Sequence, residues 1–121
     1  MAVSHLNDKE TCKRLFALAG QGVRIEILAH DTKRRVPAWV EKGMLQNGIT
    51  FNRYVHPEGL PMHNKFMLID TPDRHTLTFG SMNLSVRSLR ANHELLVIAE
   101  SVELYGAFQC RWDKMLRELK D

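Results

Sequence analysis

The sequence predicts an α/β fold in which helices face a mixed β-sheet. Segments with strand-like alternation and segments with helix-like apolar spacing follow one another along the chain, which is the pattern that α/β domains show. The chain has 121 residues, of which 44% are hydrophobic and 26% are charged. These values fit one compact domain with its own core, and they exclude a disordered, collagen-like or coiled-coil chain.

The first half of the chain predicts two helices, each followed by a strand. The first helix follows the capping residues Asn7 and Asp8, and its apolar residues recur at helical spacing up to Gly20. These apolar residues are Cys12, Leu15, Phe16 and Ala19. Residues 23–27 alternate between apolar and polar side chains and therefore predict a strand, and residues 30–35 form a charged loop.

A second helix and strand complete this half. Pro37 suits the first helical turn, and Gly48 stands where a left-handed cap would end the helix. The apolar stripe of this helix consists of Val36, Val40 and Met44. Residues 49–54 predict the strand that follows, and a loop over residues 55–61 separates it from the second half.

The second half predicts three more strands and a long final helix. The short apolar run 66–69 suits a strand that is buried on both faces, and residues 71–75 form a turn. Residues 76–79 and 94–99 supply two further strands. The final helix begins after the capping residue Ser101. Its apolar residues, at spacings of three and four, are Tyr105, Phe108, Trp112, Met115 and Leu119.

Composition limits where the protein can act. The longest apolar stretch, residues 95–99, is far shorter than the ~20 residues that a membrane-spanning helix needs. Charges interrupt the first twenty positions, so no signal peptide is visible, and we expect a protein that is cytoplasmic or peripheral to the membrane. The formal net charge of +3 suits an anionic substrate. Cys12 and Cys110 lie 98 positions apart, and both are predicted to be small core residues.

The polar residues that indicate chemistry lie between His63 and Glu94. In order, they are His63-Asn64-Lys65, Asp70, Gly80-Ser81-Met82-Asn83 and Asn92-His93-Glu94. Side chains two positions apart on a strand point to the same face, so His63 and Lys65 would place a nucleophile beside a phosphate anchor. By the same parity Asp70 points to the opposite face. We therefore expect Asp70 to hold the strand or loop in place and not to contact the substrate.

The second polar group follows the same logic. Ser81 and Asn83 share a parity, and their hydroxyl and amide can hydrogen-bond phosphoryl oxygens. We therefore predict that Ser81 binds substrate. Gly80 gives the backbone room to approach either a phosphate or a neighbouring strand.

A structural interpretation competes with the functional one at each of these positions. A histidine and a lysine two residues apart occur often by chance, so the joint spacing of the whole set carries the functional prediction. His93 is either a neighbour of the site or part of the sheet surface, and it is left out of the catalytic set. The other histidines in polar segments are predicted to be solvated: His5, His30, His56 and His75. Three arginines that could bind a head group or a phosphodiester backbone are also interpreted as solvated charges: Arg53, Arg87 and Arg90.

The order of these residues resembles the phospholipase D superfamily. Its signature is a histidine, one residue, a lysine, four residues and an aspartate, followed by Gly-Ser-x-Asn; here these are His63, Lys65, Asp70 and the run from Gly80. The stretch 80–90 and the Asn-His-Glu that follows are also similar to bacterial cardiolipin synthases. The resemblance implies that residues 1–121 form a single phospholipase D-like domain with one motif.

The resemblance also implies a covalent mechanism. A histidine such as His63 attacks phosphorus, a second histidine protonates the leaving alkoxide, and water or another alcohol then attacks the phosphohistidine. Lys65 and Asn83 would stabilise the equatorial oxygens, and Glu94 would hydrogen-bond the other nitrogen of the nucleophile. We expect neither a metal nor a cofactor, because the sequence lacks clustered carboxylates and zinc-type spacing.

The mechanism requires two histidines, and the chain has one motif. The expected partner is therefore a second motif-bearing half or an identical chain in a homodimer. Halves in the family also tend to begin with a helix and a strand ahead of the unit that residues 9–28 resemble. The sequence shows neither, so we expect a fragment, the second half of a longer enzyme. The nine residues between Asp70 and Gly80 predict a longer hairpin turn than the family usually has.

Three functional classes follow from these residues. The first is an enzyme that acts on phospholipids, either a hydrolase or a phosphatidyl transferase, and the similarity to cardiolipin synthases favours it. The second is a metal-independent nuclease, which would require a basic groove for the phosphates. The third is a non-catalytic half that binds a partner, against which the intact His63, Lys65 and Asn83 argue.

Overall fold

A computed structural model describes residues 1–81, 83–84 and 94–119. The strands are β1 (Ala2–Val3), β2 (Glu26–His30), β3 (Thr50–Tyr54), β4 (Lys65–Asp70), β5 (His75–Gly80) and β6 (Leu96–Ala99). The helices are α1 (Lys9–Gly20), α2 (Ala38–Gln46) and α3 (Val102–Glu118). Within the described residues, no helix is both long and apolar enough to span a membrane. The predictions for Arg87, Arg90 and His93 fall outside the described residues.

The strands form one mixed sheet in the order β3-β2-β1-β4-β5-β6. The β1–β2 and β2–β3 pairs are parallel, whereas β1–β4, β4–β5 and β5–β6 are antiparallel. β1 therefore joins a parallel half to an antiparallel half. The α/β class with a mixed sheet is confirmed.

The two faces of the sheet carry separate cores. On one face, α1 and α2 pack against Val3, Ile27 and Phe51. On the other face, α3 packs against Leu28 and Phe66. Successive residues of a strand point to opposite faces, which is why the neighbours Ile27 and Leu28 belong to different cores.

α1 and α3 begin at the residues that the sequence predicts, whereas α2 begins at Ala38 and excludes Val36 and Pro37, because the backbone of Pro37 is extended. Asp8 caps α1, since its carboxylate accepts hydrogen bonds from the backbone N–H of Thr11 at 2.9 Å and from its hydroxyl at 2.8 Å. Ser101 caps α3 by accepting from the N–H three residues later at 3.2 Å. Pro37 precedes α2, and Gly48 follows it with a φ of 73°, a conformation that favours glycine.

The strand β1 corrects one expectation. The sequence shows no strand ahead of residue 9, yet Ala2 pairs with Leu28 on β2 and with Phe66 on β4. Two residues are too few to show a period, so only their partners in the sheet reveal the strand.

Two predictions about burial are wrong. Residues 66–69 are not buried on both faces, because Phe66 is buried but Ile69 is 43% exposed. The buried core beneath α1 and α2 is built on β1–β3, so it does not reach Ile69. Cys12 lies in that core as predicted, whereas Cys110 is exposed on α3.

Candidate active site

Several strand ends meet at one end of the sheet. β1 ends at Val3, directly opposite Lys65, where the antiparallel strand β4 begins. β2 runs parallel to β1 and ends at His30, and β5 runs antiparallel to β4 and ends at Gly80. His63 and Lys65 therefore share this end of the sheet with the loop that follows β2.

The segment after β1 lies between the loops that complete the site. The backbone N–H of Leu6 donates to the carbonyl of Arg35 at 3.1 Å, and the N–H of Leu84 donates to the carbonyl of His5 at 3.2 Å. These bonds place the loop after β2 on one side of the segment and the chain after β5 on the other. Backbone hydrogen bonds therefore hold together three segments that lie far apart in the sequence.

The imidazole of His63 is exposed and lies between two cationic side chains. Nζ of Lys65 is 3.2 Å from Nδ1 of His63, and Nη1 of Arg35 is 3.4 Å from Nε2. Within the described part of the chain, neither cation forms an ion pair with a carboxylate. His63 and Lys65 thus point to the same place, although His63 precedes β4 and strand parity therefore does not explain their convergence.

The two cations influence the protonation of His63. A neutral imidazole carries one N–H and one lone pair, so it cannot accept hydrogen bonds from both cations at once. Desolvation and then the charges of Lys65 and Arg35 lower the pKa of His63 below its ordinary value of 6.5. Desolvation also lowers the pKa of Lys65; Glu94 opposes this shift and Arg35 adds to it. His63 is therefore mainly neutral at pH 7, as a nucleophile must be.

Two histidines that the sequence places in solvent belong to this region. His30 is 5% exposed, and its Nδ1 lies 3.0 Å from Oδ1 of Asp31. His5 is half-buried and lines a cavity of about 50 Å³ together with Lys65 and Asn83. Burial lowers the pKa of both imidazoles, and an arginine in the loop after β2 adds to the effect. The prediction that both are solvated is wrong, because contacts between distant segments bury them.

Asn83 places an amide in the same cavity. Its Oδ1 is buried, and among the described residues it is the one buried side-chain nitrogen or oxygen that lacks a hydrogen-bond partner. Buried polar atoms in folded proteins are almost always paired. The interaction of Asn83 with His5 opposes the lowering of the His5 pKa, so the two side chains are close together. Oδ1 is an acceptor, so its missing partner is a donor, which the His5 imidazole, a ligand or a second chain could supply.

Ser81 and Glu94 are linked directly. The hydroxyl of Ser81 donates to Oε2 of Glu94 at 2.5 Å and accepts from the N–H of Leu95 at 3.1 Å. The hydroxyl thus orients Glu94. The contact of Ser81 with substrate stays a prediction, as does a hydrogen bond from a ring N–H of His63 to the carboxylate of Glu94. A Cβ at Gly80 would overlap the carbonyl oxygen of Leu95, so glycine here allows the chain before β6 to approach closely.

Asp70 lies at the far end of β4 from Lys65. Its Oδ1 is 2.9 Å from Nδ1 of His75, the residue directly opposite on β5. Both side chains are exposed. The pair links the two strands next to their turn, which agrees with the structural role that the sequence predicts for Asp70.

Arg53 holds the loop after β2 in place. Its Nε donates to Oε1 of Glu41 at 2.6 Å, and its guanidinium donates to the carbonyls of Val36 at 2.8 Å and His30 at 3.2 Å. The side chain is 17% exposed, so its prediction as a solvated charge is wrong. Arg53 is instead a positioning residue for the loop that carries Arg35.

Arg35, His5 and His30 are the site residues that sequence reasoning missed. None of them belongs to the motif, and each lies in a polar segment that reads as a loop. The available signal was their position after a strand, because ligands of α/β sheets gather at strand ends. Within the described residues, no group of three or more histidine, cysteine, aspartate or glutamate side chains could hold a metal ion.

Comparison with known families assigns the chain. The family model described as "Cardiolipin synthase, PLD-like domain" matches residues 1–116. The chain belongs to the phospholipase D-like family. The residues of this phospholipase D-like chain that match the family model include the segment after β1, the loop after β2 and the chain after β5. No curated protein matches the chain.

Solved structures share the phospholipase D-like fold. Nuc, a phospholipase D family member from Salmonella typhimurium, is 20% identical with a TM-score of 0.83, and the match covers 98% of this chain and 76% of Nuc. NucT from Helicobacter pylori is 18% identical with a TM-score of 0.73, covering 97% and 77%. Polyphosphate kinase from Porphyromonas gingivalis is 14% identical with a TM-score of 0.71, covering 94% of this chain and 20% of the kinase. These similarities confirm the fold.

Proposed function

We propose that this phospholipase D-like chain cleaves phosphodiesters through a phosphohistidine formed on His63. The observation that supports this most is the exposed imidazole flanked by Lys65 at 3.2 Å and by Arg35 at 3.4 Å. Two cations without a carboxylate partner in the described part of the chain attract an anion. A nucleophile between them would lie next to the phosphorus of that anion.

The reaction proceeds in two displacements. In the first, a nitrogen lone pair of His63 attacks phosphorus, a P–N bond forms and the P–O bond to the leaving alcohol breaks. A second histidine gives the leaving oxygen its proton. In the second, that histidine takes a proton from water or another alcohol, whose oxygen attacks phosphorus and breaks the P–N bond. Hydrolysis and phosphatidyl transfer differ only in which hydroxyl attacks.

Charge stabilisation comes from the groups around the imidazole. Lys65 would contact the non-bridging oxygens, on which negative charge is spread in the transition state. The amide group of Asn83 lies in the same cavity as Lys65, and its Nδ2 would donate a neutral hydrogen bond to a phosphoryl oxygen. These groups support a reaction that requires no metal ion.

The second histidine is proposed to come from a second motif. In-line displacement places the nucleophile and the leaving group on opposite sides of phosphorus, so one imidazole cannot serve both. An identical chain or a motif-bearing half facing His63 would complete the site. The exposure of His63 at one end of the sheet supports this arrangement, because the imidazole is open to a facing chain.

Phospholipids are the proposed substrates, with peripheral contact between the protein and the lipid surface. The family model that matches residues 1–116 carries the description of cardiolipin synthase, which supports this choice. Single-stranded nucleic acid offers the same phosphodiester and is the alternative that the experiment must distinguish.

The test compares phosphatidylglycerol vesicles with single-stranded DNA. The chain, associated with an identical chain or with its motif-bearing half (the paired protein), is incubated with each substrate. It is then denatured at neutral pH and analysed by mass spectrometry for an adduct on histidine. We expect turnover of phosphatidylglycerol and a phosphatidyl adduct on His63. The variant His63→Gln should show neither, whereas His56→Gln, a histidine outside the cation cluster, should match the wild type.

Each outcome has a defined meaning. An adduct and turnover with DNA alone would move the substrate class to nucleic acids while keeping the mechanism. Turnover without any adduct on His63, or full turnover by His63→Gln, would overturn the phosphohistidine mechanism. A paired protein that acts on neither substrate would contradict the proposed function.

A further inference from the structure

We propose that Arg35, which lies outside the motif, is a phosphate-binding residue of this site. This inference rests on the proposed function, because it assigns a role toward the same phosphodiester. It differs in origin, since it depends on the loop after β2 and not on the residues between His63 and Glu94.

The backbone around Arg35 is held at several points. Its carbonyl accepts from the N–H of Leu6 at 3.1 Å, and its own N–H donates to the carbonyl of Thr32 at 3.3 Å. The carbonyl of the next residue, Val36, accepts from the guanidinium of Arg53 at 2.8 Å. Arg35 therefore reaches the site from a fixed backbone, and little ordering of the loop is required when a ligand binds.

The guanidinium of Arg35 is placed for an anion. Its Nη1 lies 3.4 Å from Nε2 of His63 and 3.5 Å from the hydroxyl of Ser4, and Ser4 is fully buried. Both contacts are at the long limit for hydrogen bonds. Within the described residues, no carboxylate forms an ion pair with Arg35, although Asp31 in the same loop lies 3.0 Å from His30. A half-buried guanidinium with only long contacts to neutral groups is a binding site for negative charge.

Arg35 and Lys65 would contact the phosphate in different ways. A phosphodiester has two non-bridging oxygens, and a guanidinium can contact both in a bidentate manner, whereas the ammonium of Lys65 acts as a point charge. The guanidinium now faces Nε2 of His63. When it moves to the phosphate oxygens, the imidazole loses a competing donor at the moment when its lone pair is needed.

The first measurements are of anion binding and of the His63 pKa, neither of which depends on turnover. Inorganic phosphate is titrated into the full chain by calorimetry, and the His63 imidazole is followed by NMR against pH. Arg35→Gln is expected to weaken phosphate binding by about ten- to a hundredfold, the loss typical of a charge-assisted contact. The pKa of His63 should rise toward its ordinary value, because the arginine charge lowers it in the wild type.

Two further variants serve as controls for charge and for contact geometry. Arg34→Gln changes the same net charge in the same loop at an exposed side chain, and it should leave phosphate binding within about twofold. Arg35→Lys retains the charge and should keep the low pKa of His63, yet it should lose kcat/KM for a phosphodiester because the bidentate contact is absent. Circular dichroism of each variant establishes that the fold is retained.

The outcomes separate this inference from the proposed function. If Arg35→Gln and Arg34→Gln bind phosphate equally, or if the wild type binds none, Arg35 is not a phosphate-binding residue. If phosphate binding depends on Arg35 but no phosphodiester is turned over, the anion site stands and the catalytic proposal fails. If Arg35→Gln keeps both normal turnover and the phosphate affinity of the wild type, the catalytic proposal stands and this inference is overturned.

Discussion

Nζ of Lys65 lies 3.2 Å from Nδ1 of His63, although strand β4 begins only at Lys65. The two side chains therefore converge even though the histidine lies outside the regular strand. The backbone contributes to this, because Nζ also donates to the carbonyl of His63 at 3.1 Å. Lys65 thus orients the nucleophile as well as carrying charge.

Removal of the charge-stabilising groups should reduce turnover more than binding. Lys65→Ala and Asn83→Ala are each expected to lose about 3 kcal/mol of transition-state stabilisation, roughly a hundredfold or more in kcat. Steady-state kinetics on the paired protein measures this loss. Lys33→Ala, an exposed lysine in the loop after β2, is the control and should match the wild type. A variant at Lys65 with the wild-type kcat would remove that residue from the mechanism.

The pH dependence should reflect a histidine that is easily deprotonated. The pKa of His63 is lowered by desolvation, Lys65 and Arg35, so its neutral form persists to a pH below the ordinary value of 6.5. Because the nucleophilic histidine must be neutral and the second histidine must carry a proton, the pH profile of kcat/KM should be bell-shaped, with the midpoint of its acid limb below pH 6.5. A pH profile of kcat/KM with an acid limb above 6.5 would show that the cations do not act on the nucleophile.

Activity is expected to survive chelation. Lys65 and Arg35 supply positive charge at His63, so the equatorial oxygens can be neutralised without a divalent ion. Turnover is compared before and after dialysis against excess EDTA, with added Mg²⁺ or Zn²⁺ in parallel samples. A strict requirement for either ion would contradict this account of the chemistry.

Catalysis should depend on pairing with a second motif. The isolated 121-residue chain, as a monomer, is expected to be inactive, and a motif-bearing partner should restore turnover. Where the pair consists of identical chains, mixing equal amounts of wild type and His63→Gln should leave about a quarter of the activity, the share of fully wild-type pairs. Analytical ultracentrifugation measures the state of association. A strictly monomeric preparation with full turnover would disprove the requirement for two motif histidines.

Gly80 should prove necessary for stability. A methyl group at this position would overlap the carbonyl of Leu95, and the φ of 149° is one that side chains rarely adopt. Gly80→Ala is therefore expected to lower the free energy of unfolding by about 1–3 kcal/mol, measured by urea denaturation. Gly106→Ala, in α3 with no atom near the added methyl group, should instead raise it by about 1 kcal/mol. Equal stability of the two variants would show that the strands can shift to accept the methyl group.

The sequence predicted best the elements that are long enough for the apolar pattern to repeat several times. α3 follows a visible cap at Ser101, and α1 follows Asp8, because local hydrogen bonds define both starts. β2 was predicted to begin at residue 23 but begins at Glu26, where its register with Thr50 of β3 starts. Strand ends depend on pairing, which the local pattern does not contain.

The site residues also fall into two groups, those that the sequence predicted and those that it missed. The spacing between His63 and Glu94 can be read in one stretch of sequence, and the structure places Lys65 and Asn83 around one cavity. Arg35 and His5 reach that region through backbone hydrogen bonds to segments far away in the chain. No local pattern encodes such contacts, so a charged loop and a solvated histidine were the natural predictions for them.

The central position of β1 has a consequence for how the protein folds. The parallel β2–β3 unit and the antiparallel β4–β5–β6 meander can each form from contacts between near neighbours, whereas Ala2 must find both Leu28 and Phe66. The candidate active site lies at this junction, since His5 follows β1 and Lys65 faces Val3. The two half-sheets can therefore assemble before the site exists. Any event that detaches the first few residues from the sheet would separate the site residues while leaving most secondary structure intact.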